Sequence, residues 1–162
     1  MRFPIDGYTL RKADGNDMRF VMGCMRDSIL LSVTPAESQS SELWINDILD
    51  ITLITIEEEM MRSEAFILEN ENKENAGMLW MGISRDQFTC EVTGYLLGLF
   101  VIEELRGKGL GKALMGTAEE WCGEKGLPSM TLNVGSANTA AKGFYGHLGF
   151  GERSAVMCRR LR

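Results

Sequence analysis

The sequence is poor in the residues that metal and redox chemistry need. It has one histidine, His147, and four cysteines, Cys24, Cys90, Cys122 and Cys158, with no C-x-x-C pair. Structural zinc sites and dithiol motifs need close pairs, so neither is expected, and no metal is expected. The scattered thiols read as buried side chains in a reducing compartment. Basic residues are also in deficit, 17 Lys and Arg against 23 Asp and Glu, for a net charge of −6. A broad grip on nucleic acid needs clustered Lys and Arg, so nucleic acid is not an expected partner. No apolar run approaches the roughly 20 residues of a membrane span, and Ile45 to Ile56 is broken by Asp47 and Asp50. Asp6, Arg11, Lys12 and Asp14 stand where a signal peptide would be apolar, which points to the cytoplasm and away from a membrane.

What is present is an ordinary globular composition. Hydrophobic residues make up 44% of 162 positions, enough for one domain over 1–162 with its own core. Tyr8 to Lys12 reads as a first strand. Asp14 or Asp17 then caps a helix over Met18 to Val33, with Phe20, Val21, Cys24, Met25, Ile29 and Leu30 near helical spacing. Thr34 to Ser41 is a polar linker. A second helix runs from Glu42 to Met61, with Ser40 or Ser41 as its cap. Ala65 to Leu68 and Met78 to Ile83 read as a hairpin around the polar stretch Glu69 to Asn75. Cys90 to Ile102 is nearly continuous in apolar residues and predicts a central strand buried on both faces. Leu110, Ala113, Leu114, Ala118, Trp121 and Cys122 form the apolar stripe of a third helix, which Gly126 and Pro128 end. Met130 to Val134 is a strand, Asn138 to His147 a helix, and Ala155 to Arg159 a last strand.

The informative segment lies between the buried strand and the third helix: Arg106-Gly107-Lys108-Gly109-Leu110-Gly111-Lys112-Ala113. Free N–H groups at a helix start attract phosphate, and glycines let a ligand approach the backbone. Spacing narrows the choice. A Walker loop needs glycine where Arg106 stands and Ser or Thr where Ala113 stands. A dinucleotide fingerprint needs glycine at Lys112, counted from Gly107, or at Leu114, counted from Gly109. Both fail, and R-x-x-G-x-G after a buried strand remains.

That pattern resembles the signature loop of the GNAT acetyltransferases, [RQ]-x-x-G-x-[GA], which Arg106, Gly109 and Gly111 match at each fixed position. Leu99 and Val101 fit the family's L-x-V lead-in. Asn138, Ala141, Phe144-Tyr145 and Leu148-Gly149-Phe150 resemble its later block, and the element order agrees over nearly the whole chain. Glu103 stands where many members have proline. The resemblance implies an α/β (α+β) fold with a mixed six- to seven-stranded sheet, about four helices and splayed central strands 4 and 5. It implies an N-acetyltransferase that uses acetyl-CoA, releases coenzyme A and acts on an amine-bearing small molecule, amino acid or peptide. A homodimer follows by analogy only.

Carried over residue by residue, the backbone of Leu99, Phe100 and Val101 would bind the pantetheine amides. The N–H of Val101 would also face the thioester oxygen, a donor worth about 3–4 kcal/mol where charge develops. The amides of Arg106, Gly107, Lys108, Gly109, Leu110, Gly111 and Lys112 would hold the pyrophosphate. Tyr145 would contact the cofactor and donate a proton to the departing thiolate. Asn138 would contact the cofactor while also capping its helix. Some members place a glutamate base in L-E-V on the fifth strand. Here the stretch is Leu132-Asn133-Val134, so that role does not transfer, and Glu91 is the substitute base. Glu57, Glu58 and Glu59 would face a cationic acceptor or simply water, and Met60-Met61 would line an acceptor pocket. His147 reads as a structural residue at a helix C-terminus. Two other readings compete: a non-catalytic acyl-CoA-binding module, motivated by Asn133, and a nucleotide-binding α/β protein, against which both failed spacings count.

Overall fold

The computed structural model describes residues 3–34, 43–59, 62–157 and 159, with backbone only for 43, 44 and 55–59. The elements are β1 (Tyr8–Lys12), α1 (Met18–Ser32), α2 (Leu43–Glu59), β2 (Arg62–Asn70), β3 (Asn75–Arg85), β4 (Val92–Val101), α3 (Leu110–Glu124), β5 (Met130–Leu132) and α4 (Thr139–His147). The strands lie side by side in chain order. β1 to β4 pair antiparallel, and β5 joins β4 in parallel after the α3 crossover.

Alternation along the strands builds a core on each face. Phe66, Leu68, Leu79, Met81, Leu96 and Val101 meet Leu110, Leu114, Ala118 and Trp121 of α3 on one face. Ile67, Met78 and Trp80 meet Val21, Cys24 and Met25 of α1 and Ile45 and Leu49 of α2 on the other. The expected helix stripe on α3 is thus the buried one. The strand buried on both faces is β3, whose residues Ala76 to Gly82 are all buried. β4 had been the expectation, but Leu97 to Phe100 are half-buried, because β5 covers only its first half.

Three further expectations are corrected. Among the described residues the sheet has five strands rather than six or seven. Among the described residues, 151–157 and 159 are exposed and irregular where a last strand over Ala155 to Arg159 was expected. Instead Arg153 makes a two-pronged ion pair with Asp86 and lies 4.9 Å from the Phe88 ring centroid, which ties this segment to the β3–β4 turn. Cys90 is exposed at that turn with φ of 60°, whereas Cys24 and Cys122 are buried as expected. The caps Ser40 and Ser41, the pair Met60-Met61 and Cys158 lie outside the described residues.

Asp14 and Asp17, the expected caps of α1, instead form a capping box around the 3-10 turn Gly15–Asp17 that leads into it, and Asp17, the N-cap residue of α1, makes no side-chain cap hydrogen bond to that helix. Asp14 Oδ1 accepts from the Asn16 N–H at 2.7 Å, and Asp17 Oδ2 accepts from the Asp14 N–H at 2.8 Å. Arg11 forks onto Asp17 at 2.6 and 2.9 Å and donates through Nε to Glu69 at 2.7 Å, tying β1, β2 and the helix start together. The Arg11 hydrogen bond holds the Asp17 carboxyl below its ordinary range. A depressed carboxyl stabilises the fold above its unfolded pKa, and this is lost as pH falls through the folded value. Asp17→Asn should therefore cost about 1–2 kcal/mol at neutral pH, discounted because Arg11 is part-exposed. In urea titrations the gap from the parent should close as pH drops below about 4.

Candidate functional site

β4 and β5 pair over three residues only, Gly94 with Met130, Tyr95 with Thr131 and Leu96 with Leu132. The reason is a bulge. Trp80 pairs with Gly98 and Met81 with Leu96, so Leu97 is an extra residue on β4. A bulge bends its strand and raises its twist, and here it falls where pairing with β5 stops. Beyond it β4 continues to Val101 with β3 on one side and, among the described residues, no strand on the other. The Ile102 N–H donates to the Ala76 carbonyl on the β3 side at 3.0 Å. By alternation, the backbone groups of Leu99 and Val101 point the other way, into the gap.

At the end of β4 the 3-10 turn Glu103–Leu105 delivers Arg106, which folds back on the strand. Its Nε donates to the Val101 carbonyl at 3.0 Å, and its guanidinium lies 5.4 Å from the Phe100 ring centroid. The signature arginine is therefore a brace that sets the glycine loop against the mouth of the gap. Gly107 and Gly109 have φ of 77° and 83°. Gly109 is the N-cap of α3 and offers no side-chain cap. The N–H groups of Leu110, Gly111 and Lys112 in the first turn thus have no acceptor within the helix. With exposed Lys108 nearby, they form an anion-receptive end. These features fit a diphosphate at the loop and an extended chain in the gap.

α4 brings the later block to the same place. Asn138 caps it by accepting from the Ala141 N–H at 3.1 Å. A Cβ at Gly111 would lie 3.5 Å from the Phe144 ring, so α4 touches the loop. Tyr145 stacks edge-on against Phe144 and Phe150 at 5.2 and 5.7 Å. Burial pushes its hydroxyl up to about 12, so it holds its proton throughout the working pH range. The structure thus brings Leu99, Phe100, Val101, Arg106 to Lys112 and, through Phe144, Tyr145 to one end of the sheet, while Asn138 is held in its own turn by Ala141.

Glu91 is not gathered with them. It is exposed just before β4, eight residues and about 25 Å of strand from Leu99. His147 is exposed, with Nδ1 2.6 Å from the Gly143 carbonyl of its own helix. Glu57, Glu58 and Glu59 belong to the last turn of α2. Two carboxylates escaped the sequence reading. Asp27 on α1 and Glu103 after β4 line a groove of about 390 Å³ with Leu30, Leu31, Phe100 and Arg106. They lie 76 residues apart in the chain, so no local spacing could have joined them.

A family model described as the acetyltransferase (GNAT) family matches residues 31–150. The chain belongs to the GNAT acetyltransferases. A mycothiol acetyltransferase of Renibacterium salmoninarum is 32% identical over 62% of this chain and 30% of its own length. An uncharacterized N-acetyltransferase of Methanocaldococcus jannaschii is 40% identical over 48% of this chain and 45% of its own. The chain thus spans less than half the length of these curated relatives. Among solved structures, a Pyrococcus furiosus protein assigned as an acetyl transferase superposes with a TM-score of 0.79 at 24% identity, covering 95% and 99% of the two chains. AAC(6')-Iy, bound to a bisubstrate analog of coenzyme A and acetylneamine, gives 0.63 at 20% identity, covering 96% and 98%. At these identities the superpositions show that the GNAT chain has the GNAT fold.

The positive φ at Gly109 changes what a variant there would report. A β-branched residue is strained at that φ, so Gly109→Val would test the backbone as much as ligand access. Gly109→Ala should cost about 1–2 kcal/mol from αL strain alone. Lys108→Glu is the cleaner probe. It should leave the melting temperature within a degree or two of the parent while weakening coenzyme A binding about tenfold, read by thermal scans and calorimetry.

Proposed function

We propose that this protein is an N-acetyltransferase that takes acetyl-CoA as donor and a primary amine of a small molecule or peptide as acceptor. The observation that carries this reading is the unpaired half of β4, opening beside a braced, glycine-rich helix start. Acetyl-CoA supplies an activated thioester, and every other element is the chain's own. The amides of the Arg106 to Lys112 segment hold the diphosphate, with Lys108 and Lys112 adding charge. Leu99 and Val101 hold the arm by backbone hydrogen bonds, while the Phe100 backbone, which the expectation had included, faces β3 and leaves only its ring to the groove. The Val101 N–H faces the thioester oxygen as a fixed donor that needs no reorganisation, a contribution of about 3–4 kcal/mol. Arg106 already occupies the Val101 carbonyl, which keeps that peptide unit in one orientation.

The acceptor is drawn to the groove beside the gap. Asp27 and Glu103 face it, while the one cation among the described residues that line it, Arg106, is engaged by Val101 and Phe100. Apolar Leu30 and Leu31 suit an acceptor with an aliphatic body. The amine must attack unprotonated, and its ordinary pKa is near 10.4. Glu91 lies too far off to take that proton, so the rate should rise with pH as the free amine grows. As the N–C bond forms and the C–S bond breaks, Tyr145 gives a proton to the departing sulfur, and the proton lost by the new amide nitrogen, carried by water, restores Tyr145. Its desolvated hydroxyl stays protonated to about pH 12, so it imposes no falling limb below that.

A second reading keeps the fold and drops the catalysis. Asn133 stands where some relatives carry a glutamate base, and a module that binds acetyl-CoA without turnover would have the same gap and loop. Calorimetry with acetyl-CoA comes first, and failure to bind would remove both readings. Tyr145→Phe should then lower kcat about 10²-fold or more while leaving the acetyl-CoA Kd within a factor of three. An unchanged kcat would take Tyr145 out of the mechanism. Tight binding with no turnover across a broad amine panel would favour the second reading.

A further inference from the structure

α1 does more than cover one face of the sheet. Its middle packs on β4, with Met25 in the same core as Leu97 and Phe100. Near its end, Leu30 and Leu31 reach the Phe100 side of the groove. Its last residue, Ser32, then reaches beyond β4 altogether. It touches Gly135, in the turn between β5 and α4. A Cβ at Gly135 would lie 2.5 Å from both the Ser32 Cβ and the Ser32 carbonyl oxygen, and 2.8 Å from its Cα. Only a residue without a side chain allows this approach.

The level of the contact gives it meaning. Pairing with β5 ends at Leu96 and Leu132, and Gly135 lies three residues beyond that end, while Leu30 and Leu31, just before Ser32, line the groove with Phe100. There the strands are no longer paired, and α1 bridges them from the second-core face. The opposite face carries the core that includes Leu99, Phe144 and Tyr145. Beyond the last β4–β5 pair the Ser32 Cβ, Cα and carbonyl oxygen therefore stand against Gly135 on the α1 face. The Cβ is fixed by the backbone and cannot swing aside by changing a rotamer, unlike the methionines nearby.

We infer that the Ser32–Gly135 contact is the wall that limits the acyl group of the donor to a short chain, making these two residues determinants of donor specificity. This rests on the reading that acyl-CoA threads the β4–β5 gap with its thioester beside Leu99 and Val101. A longer acyl chain runs past that level into the wall. Each excess methylene against such a surface changes discrimination about 10-fold or more.

Binding tests this without knowledge of the acceptor. Dissociation constants of coenzyme A, acetyl-CoA and butyryl-CoA are measured by calorimetry for the parent and three variants. Ser32→Gly removes the wall's Cβ, Gly135→Ala wedges the helix end away, and Ser32→Ala keeps the Cβ and loses only the Oγ bond to the Ser28 carbonyl. Butyryl exceeds acetyl by two methylenes, so the parent should bind butyryl-CoA about 100-fold more weakly than acetyl-CoA. Ser32→Gly and Gly135→Ala should bring that ratio within about threefold, with coenzyme A affinity unchanged, and Ser32→Ala should keep the parent ratio. Should Gly135→Ala fail to fold, Ser32→Gly decides. No binding of coenzyme A by folded parent would overturn the donor reading and this inference with it. Binding of coenzyme A with equal affinity for both thioesters, or a ratio untouched by Ser32→Gly, would overturn the inference and leave the donor reading standing.

Discussion

The site depends on a pairing that stops early. β4 and β5 share three residue pairs and then part, because Leu97 is inserted into β4 at that point. A backbone N–H or carbonyl that faces no strand must find a partner in water, a side chain or a ligand. At Val101 the carbonyl is already taken by Arg106, and what remains is a row of groups aimed into one gap. An extended, amide-bearing ligand would satisfy such a row as a missing strand would, so the opening suits such a ligand by virtue of its backbone. The side chains around it decide only what else the ligand must look like.

The glycine loop shows how a short signature divides its work. Arg106 does not reach for a ligand. It braces the loop through the Val101 carbonyl and the Phe100 ring. Gly109 supplies a left-handed cap from which α3 starts, leaving its first amides without acceptors. Gly111 leaves room beside Phe144. Charge then comes from the lysines between these positions, on a protein whose net charge is −6. A local cationic end on an acidic chain suits one anionic group held in one place, and the excess of carboxylates elsewhere suits an acceptor of opposite sign.

Proton chemistry follows burial more than proximity. Tyr145 is pushed up to about 12 by desolvation among aromatic rings, which makes it a group that keeps its proton until a strong base forms beside it. Burial acts in the same direction on the Cys24 thiol, also pushed up to about 12, which leaves that cysteine inert. The one exposed described thiol, Cys90, sits at the far end of β4 from the loop.

The sequence by itself determined whatever depends on near neighbours in the chain. Helical and strand periods placed α1, α3 and α4 within a residue or two of their ends, because side-chain burial alternates with a local period. The cap at Asn138 was legible, since a cap bonds within three residues, whereas Asp14 and Asp17 box the 3-10 turn before α1 rather than α1 itself. The loop was legible because glycine is needed where φ is positive. Only the tertiary structure decided where the strands part, since a bulge is a relation between β3 and β4. It alone showed the pairs Asp27 with Glu103 and Ser32 with Gly135, which lie far apart in sequence. It also moved Glu91 away from the site and replaced the expected last strand with the Arg153–Asp86 ion pair. An apolar run states that a segment can be a strand, but whether it is one depends on an edge being free to receive it, and no local pattern records that.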